Sequence, residues 1–580
     1  MKLRILVMVS FLLAGCGLRP QVAQVKAPPV QEARSAWEEF PAGGRGTAVT
    51  KHAPEQPSAG VVEVGRTVPS RVRVTPVPVV SMPPERRASR SNIPLELPGS
   101  TDVRGVQDPE LSSLLSTAEY SNMATDWRRA AERAVAVEAF AHASRAFRNE
   151  AEIYRGSGDI QAAIAEETKA SYYTTELQLY RTVPAPEAPK LERLEPASGC
   201  YVGAFIDRDD TLHKLHMESQ IHGDIPQFNK LVEKPHASFF MYRSYGKEFP
   251  KKWARYVKEQ GAIPHISWEP KSLEDVRDDD YLRRFMSEAA KLDHPVILRF
   301  AGEMNGEWTP YHGDPQAYIE AFRTVYRASR KAPKVAMLWC PNAVPQSSIE
   351  DYYPGDDYVD WIGVNFYSVP YLDNDINRPG DKIFPADQLK FVYEKYAARK
   401  PIAVGEWAAS QRSSLRDRNL TSFATTKLAQ LYSVLPTQYP RVKMVNWYSC
   451  NNIERAKEER QLNNFQVTNN EDILDAYRRA VGHPHFLGAD STDSSLALEV
   501  AEGQVKMSEG DEIRLALKSY DSVLKVYFMT GGKVIHASDD PLEWFVTAEQ
   551  LVVGGGELKV LVFDSKDRFV TRGDLEYLRG

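Results

Sequence analysis

The run Pro295-Val-Ile-Leu-Arg-Phe-Ala-Gly-Glu303 is apolar apart from Arg299 and closes on an acid. A stretch this short and this continuously apolar predicts a strand buried on both faces, as in a parallel sheet covered by helices. The pattern recurs between Tyr201 and about His485: 201–206 (YVGAFI), 237–244 (ASFFMYRS), 262–268 (AIPHISW), 334–341 (KVAMLWCP), 359–367 (VDWIGVNFY), 401–408 (PIAVGEWA) and 442–449 (VKMVNWYS). Amphipathic helical stretches, such as 250–260, 278–292, 315–331 and 386–400, lie between the strands. Eight strand–helix units predict an α/β fold, a (β/α)8 TIM barrel over residues 198–487. A doubly wound open sheet is the alternative, disfavoured because no Gly-rich phosphate loop follows any strand.

At 580 residues the chain exceeds what one core usually holds, so further domains are expected around the barrel. Lys2 and Arg4 precede an apolar run from Ile5 to Leu13, the pattern of a signal peptide over residues 1–16. It ends in Leu13-Ala-Gly-Cys16, which resembles the bacterial lipobox. That resemblance implies lipidation of Cys16 and attachment to the cell envelope, with Gly17 favouring the outer membrane. Residues 17–107 read as a disordered Pro-rich linker, with Pro pairs at 28–29 and 83–84. Residues 108–185 read as a helical, tetratricopeptide-like segment, with Ala136, Phe140, Ala143, Phe147, Ala151 and Tyr154 at helical spacing and a break at Gly156–Asp159. It serves either as a protein-docking module through residues 108–182 or as a brace against the barrel. The short alternating runs of 495–580, separated by Gly531-Gly532 and Gly554–Gly556, read as a small antiparallel β-sandwich. Either a carbohydrate-binding module or an inert packed domain fits that reading.

A net charge of −6 argues against nucleic-acid binding. Cys200, Cys340 and Cys450 show no metal-ligand spacing and read as buried apolar residues, so neither metal nor cofactor is expected. In such barrels, working side chains stand at the C-terminal ends of strands. Here those ends carry Trp268-Glu269-Pro270, Glu303-Met-Asn305-Gly306, Cys340-Pro-Asn342, Asn365-Phe-Tyr367, Gly405-Glu406-Trp407 and Asn446-Trp447-Tyr448. Burying a carboxylate is costly, so acids at these positions need a reason. Glu303 on the fourth strand and Glu406 on the seventh face each other across a narrow mouth. Two such carboxyls suit cleavage of a glycosidic bond, where one protonates the leaving oxygen and the other attacks or activates water.

Arg299-Phe-Ala-Gly-Glu303-Met-Asn-Gly-Glu-Trp308 resembles the acid/base signature of glycoside hydrolase family 26, the β-mannanase family of clan A. Val404-Gly-Glu406, Trp361-Ile-Gly-Val-Asn-Phe-Tyr367 and Ile266-Ser-Trp268-Glu-Pro270 are similar to its seventh, sixth and third strands. The resemblance implies a retaining endo-glycanase with Glu303 as acid/base and Glu406 as nucleophile. It implies that Tyr367 orients Glu406, Trp447 floors the subsite of the attacked sugar, Trp308 and Trp407 line neighbouring subsites, and Arg299 buttresses the site. Trp268, Asn305 and Asn342 complete the expected substrate-binding set. Family mannanases carry His where this chain has Gly302. His312 and His265 are the candidates to replace it, each with a plain loop or core role as the alternative. The polysaccharide is therefore left open among β-mannan, mixed-linkage glucan, xylan and the organism's own exopolysaccharide. The rival readings are a non-catalytic polysaccharide-binding protein of the envelope and a subunit of an exopolysaccharide synthesis or export complex.

Overall fold

The computed structural model describes residues 93–98, 108–185, 190–416, 418–456, 460–521 and 523–580. The readings of a signal peptide, of Cys16 and of most of the 17–107 linker lie outside these residues. Among the described residues no helix is long and apolar enough to cross a membrane.

Eight parallel strands close into a barrel: Cys200–Arg208, Ser238–Ser244, Ile263–Glu269, Val296–Phe300, Val335–Trp339, Trp361–Asn365, Ile402–Trp407 and Val442–Cys450. The eighth pairs back to the first through Met444–Tyr201 and Asn446–Gly203, which closes the sheet. The interior approach is tight: a Cβ at Gly203 would lie 2.1 Å from the Asn446 side chain. Alternation along each strand sorts the core. Val296, Leu298 and Phe300 pack outward in the main apolar cluster, while Ile297 packs inward with Ala336, Leu338, Cys340, Ala403 and Met444. Arg299 continues the inward series, in register with Ser267.

Several of the surrounding helices begin at an aspartate whose side chain accepts from a first-turn amide. Asp224, Asp279 and Asp314 do this for Ile225–Val232, Asp280–Lys291 and Pro315–Ser329. Each such cap is worth about 1 kcal/mol. Between the fifth and sixth strands the chain makes only three short 3-10 turns, within Gln346–Tyr358.

Two boundaries differ from the sequence reading. The segment 108–185 is not helical throughout. Four helices, Pro109–Ser121, Ala124–Ala136, Phe140–Ser157 and Ile160–Tyr173, form two hairpins with their own core. The break falls at Gly158, whose φ of 85° caps the third helix. Residues Glu176–Pro184 then form a strand that pairs with Glu512–Lys518 and Leu496–Val500. The sandwich is thus built from segments on both sides of the barrel: that four-stranded sheet, with Phe545–Thr547, packs on a five-stranded sheet through Leu179, Leu515, Val546, Phe528, Val560 and Tyr577. It is also not purely antiparallel, since Gln504–Met507 runs parallel to Phe569–Arg579.

The helical hairpins are fastened to the sandwich. Arg568 donates to the Val137 and Glu138 carbonyls at 3.0 and 2.6 Å. Phe140, Tyr172 and Tyr173 meet Tyr520, with Lys382 of the barrel over Phe140 and Tyr520.

Candidate active site

The fourth strand ends at Phe300, three residues earlier than its apolar run suggests. Ala301 and Glu303 then take left-handed φ values of 47° and 60°, unusual for residues with a side chain. The Glu303 amide donates to the Cys340 carbonyl at 2.8 Å, tying this turn to the end of the fifth strand. Strained backbone of this kind persists where the surroundings over-determine it.

Glu303 is buried and held by neutral donors. Trp308 Nε1 donates to its Oε2 at 2.7 Å and Asn365 Nδ2 to its Oε1 at 2.8 Å. The indole reaches back because residue 306 is glycine; a Cβ there would lie 2.3 Å from the ring. Burial, then the neighbouring Glu406, push the Glu303 carboxyl above its ordinary range, against the lowering effect of its hydrogen bonds.

Glu406 reaches the interior through a bulge. On the seventh strand Val404 faces Val364 and Glu406 faces Asn365, so Gly405 is an extra residue in the ladder. Bulges re-aim side chains in this way. Gly405 also makes room for the site, since a Cβ there would lie 2.5 Å from Asn365 Oδ1 and 2.6 Å from Cys340 Sγ. Glu406 accepts from the Arg299 guanidinium, from the Tyr242 hydroxyl at 2.6 Å and from the Tyr367 hydroxyl at 2.5 Å. Arg299 lies over the Phe240 and Tyr242 rings and also donates to Ser267 Oγ at 2.9 Å and Asn365 Oδ1 at 3.4 Å. Asn365 therefore touches both halves of the site, accepting from Arg299 and donating to Glu303.

Of the residues singled out from sequence, Glu303, Glu406, Arg299, Trp308 and Tyr367 come together. The others do not. Trp268, Trp407 and Trp447 are all 0% exposed and point outward, between the barrel and its helices. Trp268 stacks on Phe285 at 3.9 Å, and Trp447 packs edge-on against Trp407 and Tyr477. Strand parity explains this: Asn446 faces in, so Trp447 faces out, and Tyr448 takes the inward place against Phe205 and Tyr367. The ring on the inward face of this strand is therefore Tyr448 and not Trp447. Asn305 and Asn342 clamp two loops, the Asn342 amide donating to Asn305 Oδ1 and Asn305 Nδ2 to the Asn342 and Pro345 carbonyls, at 2.9 to 3.0 Å.

Neither histidine takes the place opposite Gly302. His312 sits in its loop near the Met304 carbonyl. His265 is buried inside the barrel, where burial and Arg299 push it well below its ordinary range. The backbone does not demand glycine at 302, since a Cβ would meet its nearest neighbours at 3.6 Å or more. Sequence reasoning gave no role to Tyr242, Ser267 or Tyr311, and it placed Glu269, Cys340, Asn365 and Tyr448 at strand ends without assigning them one. The inward parity of Tyr242, in register with Ser267 and so with Arg299, was the available signal.

Residues 270–396 match the sequence model of glycosyl hydrolase family 26. Endoglucanase H of Acetivibrio thermocellus is 24% identical over 249 residues, 40% of this chain and 25% of that protein. A beta-1,3-xylanase of Alcaligenes sp. is 31% identical over 140 residues, 23% of this chain and 26% of that protein. The chain thus covers about a quarter of the length of these relatives. Among solved structures, a modular endo-beta-1,4-mannanase from Cellulomonas fimi aligns with 11% identity and a TM-score of 0.37, covering 67% of this chain and all of that one. The GH26 β-mannanase BoMan26A of Bacteroides ovatus aligns with 16% identity and a TM-score of 0.37, covering 51% and 92%. The matched segment runs from the end of the third strand to the helix before the seventh and holds Glu303, Asn365 and Tyr367, so this part of the barrel is similar to glycosyl hydrolase family 26.

Proposed function

We propose that this chain is a retaining glycoside hydrolase that cuts internal β-linkages of a polysaccharide by double displacement. One observation carries the reading: two buried glutamates share a site but have opposite partner sets. Glu406 accepts from a guanidinium and two phenols, the partners of a carboxylate nucleophile. Glu303 has only neutral donors, and burial beside Glu406 favours its protonated form. Pairs of acids whose environments push them apart mark the acid and the base.

Glu303 then gives its proton to the leaving glycosidic oxygen as a carboxylate oxygen of Glu406 attacks the anomeric carbon. Glycosylation removes the negative charge of Glu406, one of the two influences that lift the Glu303 carboxyl. Glu303 thereby becomes the better base and takes a proton from the water that releases the sugar. Arg299, Tyr242 and Tyr367 hold the departing carboxylate when it is freed.

The substrate belongs to the β-mannans, β-1,3/1,4-glucans or xylans, or is the organism's own exopolysaccharide; Gly302 speaks for a sugar contact other than that of the mannanases with His there. The Lys2–Cys16 sequence supports anchoring to the envelope through a lipid on Cys16. Reducing ends released from a panel of these polysaccharides test the reading, with Glu303→Ala and Glu406→Ala as controls. Release by the natural chain no greater than by either variant would defeat it.

A further inference from the structure

Glu269, the last residue of the third strand, is buried near Glu303, and the double displacement leaves it unused. Its hydrogen bonds fix where protons must be. Arg299 Nε donates to Ser267 Oγ at 2.9 Å, which directs the serine's own hydrogen to Glu269 Oε1. On the other side, the Tyr311 hydroxyl oxygen lies 2.6 Å from Glu269 Oε2 and 2.5 Å from the Gly302 carbonyl oxygen. A phenol carries one hydrogen and a carbonyl carries none. Oxygen atoms this close need a hydrogen between them, and one hydrogen cannot lie in line with both. If the phenol hydrogen went to Glu269, the Gly302 carbonyl would face only lone pairs. The second hydrogen has one source left, the carboxyl itself.

Resting on the glycosidase reading for its consequence, we propose that Glu269 is a positioning residue carried as a neutral carboxylic acid. Its Oε2–H donates to Tyr311, which frees the phenol hydrogen for the Gly302 carbonyl. That carbonyl belongs to the peptide leading into Glu303, whose left-handed backbone sets the direction of the acid/base carboxyl. Ionisation of Glu269 takes the phenol hydrogen back and removes the donor from Gly302.

The charged and titratable groups around Glu269 are Arg299 of the fourth strand, Glu303 and Tyr311 of the loop after it, and Tyr318 of the following helix. Arg299 favours the carboxylate; burial and Glu303 favour the acid. Burial is the largest influence and pushes the group up to about 7. Its proton is therefore present below neutrality, in the same range in which Glu303 must hold its own.

Glu269→Gln copies the neutral acid: its amide oxygen accepts from Ser267 and its NH2 donates to Tyr311. Glu269→Ala copies nothing. The test has two arms on the full chain. In a Glu303→Gln background, the infrared difference between Glu269 and Glu269→Gln should contain the carbonyl stretch of a buried protonated carboxylic acid at acidic pH, fading as pH rises towards neutrality, earlier than in the natural chain because Glu303→Gln removes one of the influences that raise Glu269. In the natural background, Glu269→Ala should lose about tenfold or more in kcat with KM little changed, and Glu269→Gln should restore most of that loss at acidic pH. No such band would overturn the proposal, as would Gln and Ala variants equally impaired. The infrared arm needs no substrate, so a chain that shows the band but hydrolyses no glycan would refute the glycosidase reading alone.

Discussion

Replacing Arg299 by Met tests whether the interior of the site is organised by one cation. The guanidinium is 1% exposed and serves Glu406, Ser267 and Asn365 at once. Removing one partner of a buried ion pair costs about 3–5 kcal/mol, because the remaining charge is left in a poor dielectric. For a unit of this size 1 kcal/mol moves Tm by about 2–4 °C, so Arg299→Met should lower the barrel transition by about 6–20 °C. Glu406→Gln should destabilise as well, by stranding the arginine. The double variant has no stranded charge, and it should recover at least about 2 kcal/mol relative to the summed single effects. Scanning calorimetry of the four proteins supplies the cycle. Additive effects, or an Arg299→Met barrel that melts with the natural one, would refute the idea that Arg299 and Glu406 form one coupled unit.

Gly306→Ala should drive the indole of Trp308 off Glu303 and act like Trp308→Phe. Because that hydrogen bond lowers the Glu303 carboxyl, its loss should carry the alkaline limb of the pH–kcat/KM profile to higher pH in both variants, and a downward shift would contradict the geometry. Trp447→Phe should leave KM within about twofold while destabilising the barrel by about 1–3 kcal/mol, as expected for a side chain between sheet and helix; urea unfolding and steady-state kinetics separate the two effects. Arg568→Ala should detach the helical hairpins, seen as faster cleavage near Val137–Ala139 in limited proteolysis with the barrel unaffected. The Glu269 carboxyl is higher in the folded than in the unfolded chain, so its contribution to stability is fully present below the ordinary carboxylate range. It is lost as pH rises to about 7; urea unfolding should show Glu269→Gln overtaking the natural chain by about 3 kcal/mol above that pH.

The barrel was legible because each strand is an unbroken apolar run, and the observed strands fall within a few residues of those runs. The two glutamates were legible because acids at strand ends are rare without cause. The side of each strand was not. Gly405 is an extra residue in the ladder, and no local signal says that Glu406 turns inward while Trp407 turns out. Parity could have placed Trp447 outside, since Met444 and Asn446 are on the inner face, but the aromatic run Trp447-Tyr448 hid which ring faced inward. The strand Glu176–Pro184 was missed because its partner, Glu512–Lys518, lies more than three hundred residues away, and nothing local distinguishes it from the end of a helix.

In the proposed double displacement Glu406 attacks the sugar while Glu303 handles the proton. Incubation with a 2-deoxy-2-fluoro β-glycoside bearing a good leaving group, followed by proteolysis and peptide mass spectrometry, tests it most directly. The glycosyl label should sit on Glu406 and should be absent from the Glu406→Ala chain. A label on another residue, or hydrolysis that proceeds with inversion and traps no intermediate, would contradict the account.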